Sequence, residues 1–167
     1  MNTALPQETL EKLFDEALRS VTEAAAGIRL CPEAAPPSGA DLCTVHIDFR
    51  KGFHSSLSIC ADAAFLARMA QNMLQTDQLT PQDLEDFGKE YINILCGQIS
   101  TLLFQATRVA SRFGVPTFHL GRFEPEDQRQ QFALSYASGQ RERAQLIHHI
   151  PEHSPRAQAG AEPLPRK

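Results

Sequence analysis

Apolar residues recur along this chain with two periods, one near 3.6 and one of 2, and the switches between them divide it into elements. Leu10, Leu13, Phe14, Ala17, Leu18, Val21 and Ala25 repeat at helical spacing and predict an amphipathic first helix over residues 7–25 with a charged outer face. Residues 32–41, with three prolines and a glycine, read as a loop. Cys43, Val45, Ile47 and Phe49 then alternate with Thr44, His46, Asp48 and Arg50. The chain turns at Lys51-Gly52, and Phe53, Leu57 and Ile59 carry the same period back. This is a hairpin with one apolar and one polar face. Over residues 61–76 the spacing becomes helical again, through Phe65, Leu66, Met69, Ala70 and Met73.

A long helix starts at Thr80. Threonine suits the N-cap, Pro81 the first turn, and Asp83 the position from which a capping-box partner reaches back. No breaker follows until Gly114 and Pro116, so the pattern carries the helix to about residue 113. Leu84, Tyr91, Leu95, Ile99, Leu102, Leu103, Ala106, Val109, Ala110 and Phe113 fall on one arc as its core face. The opposite arc holds Asp86, Glu90, Asn93, Gly97, Thr101 and Arg108, with the apolar Ile94 and Phe104 beside them. Residues 115–120 then read as a strand entered at Pro116. Phe132, Leu134 and Tyr136 alternate into a turn at Ser138-Gly139, and Arg141 to Ile150 returns as the last strand, placed at a sheet edge. The sequence from Pro151 has almost nothing to bury and reads as a disordered tail. The expected architecture is α+β: one domain over residues 1–150 and a tail over 151–167. Two helix-plus-hairpin halves form a pseudo-symmetric β-sheet with long helices packed on one face.

Composition narrows the function classes. A formal net charge of −4 with dispersed basic residues gives no nucleic-acid footprint. No apolar run reaches membrane-spanning length, and the first residues lack a basic region followed by an apolar segment, which points to the cytoplasm. Cys31, Cys43, Cys60 and Cys96 have no C-x-x-C spacing and read as reduced thiols. His46, His54, His119, His148 and His149 show neither ligand nor triad spacing and read as structural. Phosphate-loop, G-x-S-x-G and H-E-x-x-H motifs are missing, so nucleotide binding, serine hydrolysis and zincin chemistry have no support.

What remains is the polar arc of the long helix, where Glu90 and Asn93 stand one turn apart on one side. The pattern Asp86-x3-Glu90-x2-Asn93-x22-Pro116 resembles the signature of the CheC/CheX/FliY chemotaxis phosphatases, and Gly88 and Gly97 flank it as in CheX. Only Asn93 among the asparagines has an acidic residue three positions before it, so the resemblance is to the single-site CheX type, and it extends over residues 5–150. It implies a CheX/CheC-like fold and a protein phosphatase acting on the phospho-aspartate of a response-regulator receiver domain of the CheY type. Asn93 would orient the attacking water, and Glu90 would pair with the receiver's lysine. Asp86, Ile94, Gly97, Thr101 and Phe104 are the candidate partner-contact residues, and Pro116 is architectural. The protein would need no cofactor of its own, because the receiver brings Mg²⁺, and it would be a homodimer. Gly97 also invites a physical reading, since glycine in a helix interior costs about 1 kcal/mol against alanine and implies a close neighbour there. Two readings stand beside this one: a non-catalytic receiver- or switch-binding module of the same fold, and a purely structural domain with a solvated helix face.

Overall fold

Alternating residues of the two long hairpins meet on one face of an antiparallel sheet, and three helices cover that face. The structure, a computed structural model, describes residues 5–51, 55–125 and 129–151. In chain order the elements are α1 (Gln7–Ala26), β1 (Leu30–Pro32), β2 (Leu42–Lys51), β3 (Ser56–Asp62), α2 (Ala63–Leu74) and α3 (Pro81–Thr107), then β4 (Arg112–Phe113), β5 (Thr117–Leu120), β6 (Arg129–Ser138) and β7 (Arg143–Pro151). The strands run β1-β6-β7-β3-β2 across the sheet. Both β4 and β5 lie along the outer side of β2, β5 against Cys43–His46 and β4 against its far end.

The register explains the burial. Val45 pairs with Ile59, Ile59 with Leu146, and Leu146 with Leu134, so one apolar row crosses four strands. That row packs under Leu18, Phe65, Met69, Tyr91, Leu95 and Ile99 of the helices. Two side-chain bonds tie α1 to the layers beside it. Tyr136 on β6 donates to Asp15 at 2.6 Å. Thr22 already gives its proton to the Leu18 carbonyl, so Tyr91 on α3 is the donor in the 2.5 Å Tyr91–Thr22 bond. Burial pushes the Tyr91 phenol up to about 12.

The opposite sheet face is polar, as the alternation required, yet much of it is buried. Thr44 donates to the Gly121 carbonyl at 2.7 Å and accepts from the Phe123 N–H at 3.2 Å, which folds the chain after β5 back over this face. There Phe123 stacks on His119 at 3.9 Å and meets His46 at 5.0 Å.

Several expectations need correction. The long helix stops at Thr107. Arg108 takes a left-handed conformation with φ 61°, its N–H closes on the Phe104 carbonyl, and the Thr107 hydroxyl accepts from the Val109 N–H. The chain can then pair β4 with the end of β2, where the Phe49 and Phe113 rings sit 4.2 Å apart. Val109, Ala110 and Phe113 therefore lie outside the helix, Ala106 is exposed, and Phe87, Ile92 and Cys96 join its buried side. Residues 30–32, the last of them within the expected loop, form β1 on the outer side of β6. The last strand is not an edge, for β7 lies between β6 and β3, paired on both sides. It runs through Pro151, while Gly52, Phe53, His54 and the expected tail from 152 lie outside the described residues.

His148 is a buried histidine on the core face of β7, with its ring edge-on to Phe14 at 5.1 Å. Its Nδ1 has no hydrogen-bond partner among the described residues, and burial lowers its pKa from 6.5 to about 4. Between those two values the unfolded chain binds a proton that the folded chain refuses, so stability falls as pH falls through that window. The loss from about pH 7 to about pH 5 is on the order of 2 kcal/mol from this residue. Urea unfolding at both values should show His148→Leu losing about that much less than the wild type, and equal losses would remove His148 as the cause.

Candidate functional site

A capping box fixes where α3 begins. The Thr80 hydroxyl accepts from the Asp83 N–H and the Asp83 carboxylate accepts from the Thr80 N–H, both at 3.0 Å, with Pro81 in the first turn. Gly88 then sets how close the helix lies to the sheet. A Cβ there would stand 3.1 Å from Val45 Cγ2 and 3.4 Å from both Leu66 Cδ2 and Phe118 Cδ1. With Phe87, Tyr91, Ile92, Leu95 and Cys96 buried below it, the helix presents one remaining face to solvent.

That face carries the residues singled out from sequence. Asp86, Glu90, Asn93, Gly97, Thr101 and Phe104 are exposed, and Ile94 is half-buried at the rim of the core. Asp86 accepts from Gln82 at 2.8 Å, and Thr101 donates to the Gly97 carbonyl at 3.1 Å. Lys89 is held by Glu85 at 2.9 Å. Glu90 and Asn93 differ from these neighbours, for among the described residues neither side chain has a hydrogen bond or ion pair. The helical rise separates them by about 4.5 Å along the axis. A carboxylate and a carboxamide thus project side by side from a well-anchored helix with all their bonding capacity uncommitted. Pro116, at the far end of the spacing pattern, is buried just before β5.

Two juxtapositions were not legible from spacing. At the C-terminal end of α3 the chain doubles back, Ser100 and Ser111 bond at 3.0 Å, and a cleft of about 510 Å³ opens between Thr101, Phe104, Gln105, Arg108 and Ala110. Arg108 belonged to the polar arc in the sequence, but the cleft exists only because the helix stops before it. On the polar sheet face, Ser58 Oγ lies 2.7 Å from His46 Nδ1 and 3.0 Å from His149 Nε2, while His46 Nε2 lies 3.2 Å from Asp48. Serine, histidine and aspartate do meet here. Ser58 has no solvent exposure, however, and its hydroxyl is saturated between two rings, so the row is a structural strap. Among the described residues no cluster of three or more His, Cys, Asp or Glu is placed to hold a metal, and no helix is long and apolar enough to cross a membrane. Cys43, Cys60 and Cys96 are buried free thiols, with burial raising the pKa of Cys43 and Cys96, and Cys31 is an exposed free thiol.

Gly97 has open space where its Cβ would be, so nothing among the described residues accounts for a glycine there. Gly97→Ala should stabilise the free protein by about 0.5–1 kcal/mol, a rise of roughly 2 °C in Tm for a chain of this size. A fall in Tm would mean that the fold itself requires the glycine.

Comparison with known proteins places this geometry. Residues 43–134, more than half of the chain, match the family model described as Chemotaxis phosphatase CheX. The fold matches CheX from Desulfovibrio desulfuricans with a TM-score of 0.71 at 16% identity, covering 84% of this chain and 97% of that one. For CheX from Vibrio vulnificus the TM-score is 0.71 at 17% identity, with 87% and 99% covered. A chain of the CheX-CheY-BeF3-Mg²⁺ complex from Borrelia burgdorferi matches with a TM-score of 0.69 at 18% identity, over 84% of this chain and 97% of that one. No curated protein matches the sequence. At these identities the structures speak for the fold, and the family model, which spans the exposed helix with Glu90 and Asn93, speaks for descent: the chain belongs to the CheX chemotaxis phosphatase family.

Proposed function

We propose that this protein hydrolyses the aspartyl phosphate of a CheY-like receiver domain in the cytoplasm, using Glu90 and Asn93. The observation that carries the reading is the pairing of an uncommitted carboxylate with an uncommitted amide, one turn apart, on a helix whose other side is buried. The Borrelia burgdorferi complex of CheX with CheY supports a partner of this kind.

Hydrolysis of an acyl phosphate asks little of the enzyme. Water attacks phosphorus in line, the bond from phosphorus to the aspartyl oxygen breaks, the carboxylate leaves, and the water's proton ends on inorganic phosphate. Charge on the phosphoryl group is matched by the Mg²⁺ and lysine of the receiver, so this chain supplies position. The Asn93 carboxamide accepts from the water and donates toward the phosphoryl oxygens, and it does so without titrating. Glu90 pairs with the receiver lysine and sets the register of docking, with Asp86, Ile94, Gly97, Thr101 and Phe104 as the surrounding contact surface. Asn93→Ala should lower the dephosphorylation rate by roughly a hundredfold to a thousandfold with receiver binding retained. Glu90→Lys should instead weaken binding, and the loss should shrink as salt rises. Wild-type turnover by Asn93→Ala would overturn the catalytic reading and leave the docking-module reading in its place.

The protein would act as a homodimer, and because β7 is paired on both sides its contact would lie at another strand. The edge formed by β5 pairs on one side with β2 and on the other with no described strand. Val115, two residues before it, and Leu120 at its end are 79% and 83% exposed. An unpaired edge flanked by exposed aliphatic side chains suits a second copy of the same edge. Sedimentation equilibrium at micromolar concentration should give twice the 18.5 kDa chain mass, falling to the single mass in a Val115→Asp, Leu120→Asp double variant. A wild-type protein of single mass throughout would rule the dimer out.

A further inference from the structure

The exposed face of α3 does not end at the proposed catalytic pair. Phe104 lies eleven residues beyond Asn93, about 16 Å along the axis, and is 44% exposed. Arg108 closes the helix in a left-handed conformation that glycine would adopt more readily, and its guanidinium sits over the Phe104 ring, 5.7 Å from the centroid. Among the described residues Arg108 has no ion-pair partner, although other arginines, such as Arg19, Arg68 and Arg143, reach carboxylates. Beneath it lies the 510 Å³ cleft between the last turn of α3 and Ala110-Ser111. The helix face is therefore polarised. It is acidic near Asp86 and Glu90, and cationic and aromatic at its C-terminal end.

We propose that Arg108, held over Phe104, is a specificity contact for the receiver docked at Asn93. It would take a carboxylate flanked by an apolar side chain, and so select both the receiver and its orientation. The inference rests on the proposed phosphatase reading and deepens it. Reach supports it, because a domain of about 100 residues has a radius of gyration near 13 Å and a footprint on the order of 30 Å across. A receiver docked at Asn93 with its footprint extending toward the C-terminal end of α3 reaches Phe104 as well. Charge supports it too, because a cation at one end of the face and carboxylates at the other accept a partner of complementary polarity in one direction only. The ring beneath the guanidinium holds it in place and offers the apolar half of the contact.

The structural alternative is that Arg108 merely caps the helix. Arg108→Gly separates the two roles, because glycine suits φ 61° and keeps or raises stability while deleting the side chain. Steady-state dephosphorylation of a phosphorylated CheY-type receiver should show KM raised about tenfold in Arg108→Gly with kcat retained, and raised further in Arg108→Glu. The Arg108→Glu effect should diminish with salt, and Arg108→Lys should recover part of the loss. Unchanged KM in Arg108→Gly and Arg108→Glu, with Asn93→Ala inactive, would overturn this contact and leave the phosphatase reading intact. Should Asn93→Ala retain wild-type turnover, the phosphatase reading itself would fall, and this inference with it.

Discussion

At Gly88 the backbone of α3 comes so near the sheet that a methyl group would have to push aside Val45, Leu66 or Phe118. One turn along, Tyr91 donates into α1 through Thr22, whose own proton is spent on Leu18. These two contacts act in different directions. The glycine fixes the height of the helix above the sheet, and the buried hydroxyl pair resists rotation about its axis, because turning Tyr91 away would strand two polar groups in the core. Glu90 adjoins Tyr91 in the chain, and Asn93 follows one turn later. Their direction is thus inherited from a packing constraint on the opposite side of the same helix.

This is why an exposed helix face can serve as a site without a cavity. An enzyme that must create a nucleophile or shift a pKa needs burial and neighbouring charge. One that only places a water and matches a partner's lysine needs rigid support, an amide, a carboxylate and freedom from internal partners. The neighbours of the pair show the contrast. Asp86 is engaged by Gln82, Lys89 by Glu85, and Thr101 by its own helix, whereas among the described residues the hydrogen-bonding groups of Glu90 and Asn93 are uncommitted.

Local signals made much of this legible in the sequence. The capping box at Thr80 and Asp83 is a short-range device, and it forms as read. The period of two in β2 and β3, and in β6 and β7, likewise follows from residues close in sequence. What failed to appear was decided by distant partners. Val109 to Phe113 continue a helical pattern, yet Arg108 leaves the helix so that Phe113 can reach Phe49, a contact across more than sixty positions that no local period encodes. Arg141 to Ile150 read as a last strand at an edge, but strand order depends on which partners β3 and β6 find, and both pair with β7. The Ser58–His46–His149 row arises in the same way, from the register of three strands. The exposure of Glu90 and Asn93 was legible from helical phase, while the cleft beside Arg108 was not, because it is made by the end of that helix.

A larger hollow of about 540 Å³ lies elsewhere, between the start of α1 and β6, with Glu8, Glu11, Asp15 and Glu33 around it, and on size alone it competes for the role of binding site. Its chemistry argues otherwise. Asp15 accepts from Tyr136 at 2.6 Å and pairs with Arg19, and Glu33 faces Arg143. Asp15 thus joins α1 to β6, and Glu33, just after β1, reaches β7. A dianionic phosphoryl group would meet net negative charge in that hollow, at a cost that rises wherever water is excluded. On the α3 face, under the proposed reading, the same substrate would arrive already neutralised by its own protein, and it would meet one carboxylate suited to the lysine and one amide suited to the water. Availability of groups, and not volume, therefore separates the two, and it favours the helix for the proposed chemistry.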